Sequence, residues 1–199
     1  MYFKNLENKI VKNVLLPEHF DFLYNIIKNS TSEKYEHIPT LGHTTYYSDF
    51  TKEFKDYILD IVHKNIDEEL VITEMSISRY HTASGFVPKL FPHYDHFDES
   101  RVTFDLQINS NISWPIVIEG REYVLNNNEA LIFSGTDQIH WRTRKKLTKS
   151  DQVDMLFVHL SRKNNNIKIT EEEKLEREKL CLYYREKVSI PVQALRTKE

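Results

Sequence analysis

The segment from Arg101 to Asn109 constrains this chain more than any other. Val102, Phe104, Leu106 and Ile108 alternate with Arg101, Thr103, Asp105, Gln107 and Asn109. Side chains two apart share one face of a strand, so the segment carries an apolar face and a polar face. Two arrangements suit it equally. The polar face meets bulk water, or it lines a wet cavity while the apolar face packs on helices. The segment is one of a series of short strand-like stretches, at 71–81, 102–109, 114–119, 122–125, 130–133, 140–144 and 153–160. Turn signals separate them: Ala83-Ser84-Gly85, residues 109–113, Asn126-Asn127-Asn128, Ser134-Gly135-Thr136-Asp137 and Lys149-Ser150-Asp151. Many short strands at regular spacing predict a sandwich or barrel.

Helical periodicity flanks this region. Residues 17–29 place Phe20, Leu23, Ile26 and Ile27 at helical spacing behind Pro17, a residue favoured at a helix start. Residues 51–69 place Phe54, Tyr57, Ile58, Ile61 and Val62 on one stripe, with Thr51 as N-cap. Residues 170–187 open on Thr170 and Glu173, the spacing of a capping box, and their thin apolar stripe predicts a surface helix. A chain of 199 residues suits one domain over 1–199. Its expected parts are a helical support (1–69), a β core (70–162), and a C-terminal helix and tail (163–199). The class is α+β, mainly β, with the N-terminal helices on one sheet.

Composition removes several functions. No apolar run approaches the ~20 residues of a membrane span. The first residues lack a signal peptide's apolar stretch. The single cysteine, Cys181, excludes an intrachain disulfide and a cysteine-based zinc site, so a cytoplasmic location is expected. A net charge of -3 argues against a partner held by its phosphates, duplex nucleic acid included. The one basic cluster is Arg142, Arg144, Lys145, Lys146 and Lys149, and its lysines read as a solvated turn.

The remaining chemistry lies in the histidines. In a strand, His-x-Asp aims one imidazole and one carboxylate the same way, so both can meet one ion. A histidine from a distant strand completes a two-histidine, one-carboxylate face and leaves the other face open, the arrangement suited to iron(II) oxygenases. The pattern occurs at His19-Phe20-Asp21, His93-Tyr94-Asp95 and His96-Phe97-Asp98. The first falls in a helical stretch, where positions i and i+2 diverge. The other two overlap in opposite parity, so only one can be the ligand pair. His159 alternates with Met155 and Phe157 in an apolar strand and reads as a packed histidine. Zinc in a catalytic site also takes three protein ligands, so the triad alone leaves a hydrolase open.

Between residues 76 and 109 the chain resembles the first half of the 2-oxoglutarate-dependent oxygenase superfamily, in its prolyl-hydroxylase-like branch. Arg79-Tyr80, the glycine turn at Gly85, His93-Tyr94-Asp95 and the strand-opening Arg101 follow in that family's order. The second half, from Glu119 to Leu160, resembles the family's return strands, with the distal histidine at His140. The stretch between Asp95 and His140 has room for about four strands. The resemblance implies a double-stranded β-helix core (jelly-roll or cupin-like) and Fe(II) held by His93, Asp95 and His140. It implies 2-oxoglutarate and O2 as cosubstrates, with oxidative decarboxylation to succinate and CO2 and hydroxylation of a substrate. Asp95 fills the coordination position that a halide takes in halogenating relatives, so hydroxylation is expected.

The far carboxylate of 2-oxoglutarate needs a buried cation, best a guanidinium. Many family members place one about ten residues after the distal histidine, where this chain has Ser150. Arg142 and then Arg144 are the substitutes, because a strand from His140 puts all three on one face. Arg142 then sits about 6–7 Å beyond the ligand histidine. Tyr80, Thr103 and Gln107 are candidate cavity-lining donors. Residues 35–50, with His43, Tyr46 and Tyr47, lack a period and are expected to form a lid. The expected substrate is a small or peptide-borne amino-acid-like molecule. Alternatives are a cupin-like dioxygenase that does not use 2-oxoglutarate, and a non-catalytic jelly-roll binding module.

Overall fold

A computed structural model describes residues 6–30, 35–38, 41–82, 89–95, 101–163 and 169–196. The element order is β1 (Lys9–Lys12), α1 (Pro17–Asn29), β2 (Tyr35–Ile38), β3 (His43–Tyr46), α2 (Lys52–His63), β4 (Leu70–Tyr80), β5 (Leu90–His93), β6 (Arg101–Ser110), β7 (Ile116–Ile118), β8 (Arg121–Tyr123), β9 (Glu129–Phe133), β10 (His140–Arg142), β11 (Val153–Arg162) and α3 (Glu171–Arg196). A seven-stranded sheet runs β1-β9-β6-β11-β4-β3-β2, and a four-stranded sheet runs β5-β10-β7-β8. The strand pairings are antiparallel. This is the two-sheet, mainly β architecture expected, with helices on the large sheet.

Period-two alternation sorts the strands into two cores. Val102, Phe104, Leu106 and Ile108 of β6 join Leu156, Val158 and Leu160 of β11 in one buried cluster. Leu23 of α1 and Phe54, Ile58 and Val62 of α2 complete it. The opposite parity points between the sheets. There Tyr80, Val153 and Met155 meet Trp114, Ile116, Ile118 and Phe133. Of the two arrangements open for β6, the apolar face packs on helices and the polar face looks inward.

The local signals hold where chemistry set them. Pro17 opens α1, and Thr51 Oγ1 accepts from the Phe54 N–H at 3.2 Å. Thr170 and Glu173 exchange hydrogen bonds at the start of α3. Three expectations change. α2 ends at His63 rather than at 69, because the chain turns at Lys64–Asn65 and buries Ile66 before β4 begins. α3 is not merely a surface helix: Cys181, Tyr184 and Val188 pack with Tyr94, Val117, Ile139 and Trp141 on the outer face of the small sheet. Residues 35–50 hold β2 and β3, which extend the large sheet beside β4, rather than a lid loop. Tyr46 packs against the helical core, and exposed Tyr47 bonds Glu36 at 3.3 Å. Among the described residues no helix is long and apolar enough to cross a membrane.

Candidate metal centre and adjoining cavity

β5 and β10 are neighbours in the small sheet, and His140 pairs directly with His93. The rings sit 4.2 Å apart between centroids. β5 ends at His93, so Asp95 lies just past the strand. Another contact therefore sets its position: the Asp95 N–H donates to Gly135 O at 2.8 Å. One ligand atom from each of His93, Asp95 and His140 falls within 4.8 Å of the other two. Both histidine Nε2 atoms are 3.4 Å from Asp95 Oδ1. Donors of a transition metal at bonds of about 2.1 Å need roughly this spacing on one octahedral face.

The three candidate donor groups are already oriented by the chain. His93 Nδ1 lies 2.8 Å from Phe91 O and His140 Nδ1 3.0 Å from Gln138 O. A carbonyl can only accept, so each Nδ1 carries a hydrogen, and in the neutral ring Nε2 keeps its lone pair. Thr103 Oγ1 donates to Asp95 Oδ2 at 2.6 Å. Burial opposes ionisation of Asp95, yet His140 and His93 hold it well below the usual carboxylate range. Burial also pulls the His140 pKa down, reinforced by His93. On His93 burial pulls down as well, but the Asp95 hydrogen bond and charge outweigh it and raise the pKa.

The turn between β9 and β10 completes the brace. A Cβ at Gly135 would stand 2.0 Å from Asp95 Oδ2 and 2.1 Å from Thr103 Oγ1, so only glycine lets Asp95 and Thr103 meet there. The Ser134 N–H donates to Gln138 Oε1 at 2.9 Å, and Ser134 Oγ to Asp137 Oδ2 at 3.0 Å. Arg177 of α3 donates to Thr136 O and, at 2.9 Å, to Asp137 Oδ1. The C-terminal helix thus clamps the turn that holds the Asp95 carboxylate.

A cavity of about 160 Å³ opens from the triad. His43, Ser76, Ser78 and Tyr80 line one side, Thr103, Asp105, Phe157 and His159 the other, with Leu90 and the triad at one end. Tyr80 and Thr103, two of the three candidate donors, line the cavity. Burial pushes the Tyr80 hydroxyl up to about 12. Gln107 does not line the cavity: its Nε2 donates to Leu125 O at 2.9 Å and Asn127 Oδ1 at 3.3 Å. Arg142 is buried, with Nη1 donating to Trp114 O, Nη2 3.9 Å from Met155 Sδ, and its guanidinium 5.2 Å from the Trp114 ring. Arg144 is exposed, because β10 stops at Arg142. Gly85, His96 and Asp98 lie outside the described residues.

Sequence reading missed two ionisable cavity residues. His159, expected to be packed in the core, places Nε2 3.7 Å from Asp95 Oδ2 and Nδ1 3.3 Å from Glu74 Oε2. Asp105 lines the cavity at 4% exposure. Parity could have found both: Asp105 shares its face with Thr103, and His159 sits opposite in phase to Leu156, Val158 and Leu160.

No family model matches the sequence, and neither does any curated protein. Solved structures do match in shape. HygX from Streptomyces hygroscopicus, crystallised with nickel, 2-oxoglutarate and hygromycin B, superposes with a TM-score of 0.61 at 9% identity over 81% of this chain and 85% of its own. The non-heme alpha-ketoglutarate-dependent epimerase SnoN from nogalamycin biosynthesis gives 0.64 at 9% identity, over 80% of each chain. A Pseudomonas putida prolyl-4-hydroxylase gives 0.59 at 13% identity, over 81% of this chain and 96% of its own. The chain has the double-stranded β-helix fold of the 2-oxoglutarate/Fe(II) oxygenases, prolyl hydroxylases among them.

Proposed function

We propose that the protein is an Fe(II)- and 2-oxoglutarate-dependent dioxygenase that hydroxylates a small or peptide-borne amino-acid-like substrate. The observation that carries this is the braced triad: two imidazole Nε2 atoms and one ionised carboxylate oxygen converging on a point beside a cavity. His93, Asp95 and His140 would hold the iron. Bound iron(II) supplies activation of O2 coupled to decarboxylation of 2-oxoglutarate to succinate and CO2.

Everything else falls to the chain's own side chains. Arg142 lies buried beyond the triad, and its two described hydrogen bonds go to a carbonyl and a sulfur, neither an anion. It anchors the distal carboxylate of the cosubstrate. Tyr80 lines the cavity and packs against Trp114, whose carbonyl holds Arg142. Ser76, Ser78 and His43 offer hydrogen-bonding groups, which suits a polar small molecule. Among the structural relatives, HygX was crystallised with hygromycin B and a Trichoplax adhaerens prolyl hydroxylase with a peptide fragment. The acidic net charge supports a substrate other than duplex nucleic acid. The lone cysteine supports a reducing, cytoplasmic setting.

The test combines binding and turnover. Iron(II)-loaded protein is titrated with 2-oxoglutarate under anaerobic conditions, and a visible charge-transfer band is expected. Arg142→Ala is expected to weaken that titration by roughly 10- to 150-fold, the effect of losing ~1.5–3 kcal/mol of charged hydrogen bonding, while Lys145→Ala leaves it unchanged. Succinate is then measured in air with free amino acids, short peptides or single-stranded oligonucleotides supplied. Iron binding without any response to 2-oxoglutarate would replace this reading with a cupin-like dioxygenase. Stimulation by oligonucleotides alone would overturn the substrate class.

A further inference from the structure

Asp105 has no part in the chemistry described so far, and its placement is costly. It is buried at 4% exposure, and among the described residues its Oδ1 has no hydrogen-bond partner. A buried carboxylate left unsatisfied costs free energy unless a ligand completes it or it takes up a proton.

The sheet register places it along the cavity. On β11 and β6, His159 lies opposite Thr103, Phe157 opposite Asp105, and Met155 opposite Gln107. The first of these rungs touches the triad, since Thr103 donates to Asp95. The third carries Met155, which contacts Arg142. Asp105 therefore stands between the ligand carboxylate and the buried guanidinium, one step of about 6–7 Å from each rung. A five-carbon diacid that reaches from the triad to Arg142 must run alongside it.

We propose that Asp105 is a second anchor of the cosubstrate subsite, donating a hydrogen bond from its protonated carboxyl to the distal carboxylate held by Arg142, so that 2-oxoglutarate binding takes up a proton. The inference rests on the reading given under Proposed function. Two carboxylates forced into one buried site cannot both stay ionised beside a single guanidinium, and the protein's own acid is the one that takes the proton.

The surrounding charges fit. Arg142 faces Asp105 from β10, Tyr80 from β4 and His159 from β11, with Asp95 and His93 at the metal end. On β9 the opposite residue is Leu131, which does not titrate. Burial raises the Asp105 pKa to about 7, against the pull of Arg142. A bound carboxylate raises it further. The sign follows: affinity is full below the free-state value and declines as pH rises above it.

The experiment is isothermal titration calorimetry of nickel(II)-loaded protein with 2-oxoglutarate, in buffers of different ionisation enthalpy. Nickel is loaded first, so that the ligand histidines hold metal rather than protons. At about one pH unit above the Asp105 titration, uptake close to one proton per 2-oxoglutarate is expected, and almost none at one unit below. Affinity should fall roughly tenfold between those two conditions. Asp105→Asn, whose amide donates at every pH, should bind with the same affinity at both and take up no proton. Wild-type binding without proton uptake, or an Asp105→Asn protein that keeps the wild-type pH slope, would overturn this inference while leaving the proposed function intact. Failure to bind 2-oxoglutarate at either pH would remove both. If Asp105→Asn does not fold, the wild-type proton count alone decides.

Discussion

The two ends of the cavity are built on different principles. At the metal end the side chains are already satisfied: the two Nδ1 atoms on backbone carbonyls, Asp95 Oδ2 on Thr103, and the Asp95 backbone on Gly135. Away from the triad Asp105 lines the cavity with its Oδ1 unpartnered among the described residues, and Arg142, behind the lining, rests on Trp114 O and a sulfur. The first end is rigid before anything binds, as preorganisation of a ligand set requires. The second, on the proposal made above, would be completed by the cosubstrate. Substitutions at the metal end should therefore act on metal affinity, and those away from it on cosubstrate affinity and its pH dependence.

Gly135→Ala should break the first end most severely. The added methyl would fall 2.0 Å from Asp95 Oδ2, well inside van der Waals contact, and both Asp95 and Thr103 are fixed by hydrogen bonds. Relief requires Asp95 to leave its place. Nickel(II) affinity is expected to fall by at least ~100-fold, the upper range for outer-shell changes, because a ligand itself is displaced. Overpacking should also cost about 1–3 kcal/mol in thermal unfolding. Wild-type metal affinity in this variant would show that the turn does not position the ligand.

Thr103→Val is gentler and more specific. It keeps the β-branched shape and removes only the hydroxyl that holds Asp95 Oδ2. Metal affinity should fall ~10- to 100-fold with the fold intact. Once metal is saturating, 2-oxoglutarate affinity should be unchanged. A matching loss in both would merge the two ends into one unit.

These contrasts were partly legible in the chain. The alternation in β6 and β11 separates the helix-facing residues from the cavity-facing ones, because a sheet buried on one side by helices and on the other by a second sheet enforces parity. His-x-Asp spacing alone left His96 and Asp98 open beside His93 and Asp95, and the choice of His93, Asp95 and His140 came from the family resemblance. What failed had non-local causes. Residues 35–50 carry no periodicity of their own, since β2 and β3 are specified by the exposed edge of β4 rather than by their pattern. The inner face of α3 was missed because an Arg-, Glu- and Lys-rich helix hides a contact made by Cys181 and Tyr184. Arg144 shared the parity of Arg142, but the strand ends first. His159 was assigned to packing because its neighbours are apolar, although its phase matches the cavity face.

His159 gives the smallest expected effect and the sharpest test of how the metal end is braced. Its Nε2 stands 3.7 Å from Asp95 Oδ2, beyond a good hydrogen bond, while Nδ1 faces Glu74 at 3.3 Å. It acts on the oxygen that Thr103 already holds, and does so electrostatically from partly solvated surroundings, where such interactions are worth about 1 kcal/mol or less. His159→Gln alone should thus lower nickel(II) affinity by no more than ~5-fold. With Thr103→Val the two losses should not add. Without the hydroxyl, Asp95 is free to turn toward residue 159, and that residue matters more. A double-mutant cycle on metal affinity should return a coupling of about 0.5 kcal/mol or more. Strict additivity would mean that His159 senses the cavity and not the carboxylate, and would move it from the metal end to the wall that the substrate meets.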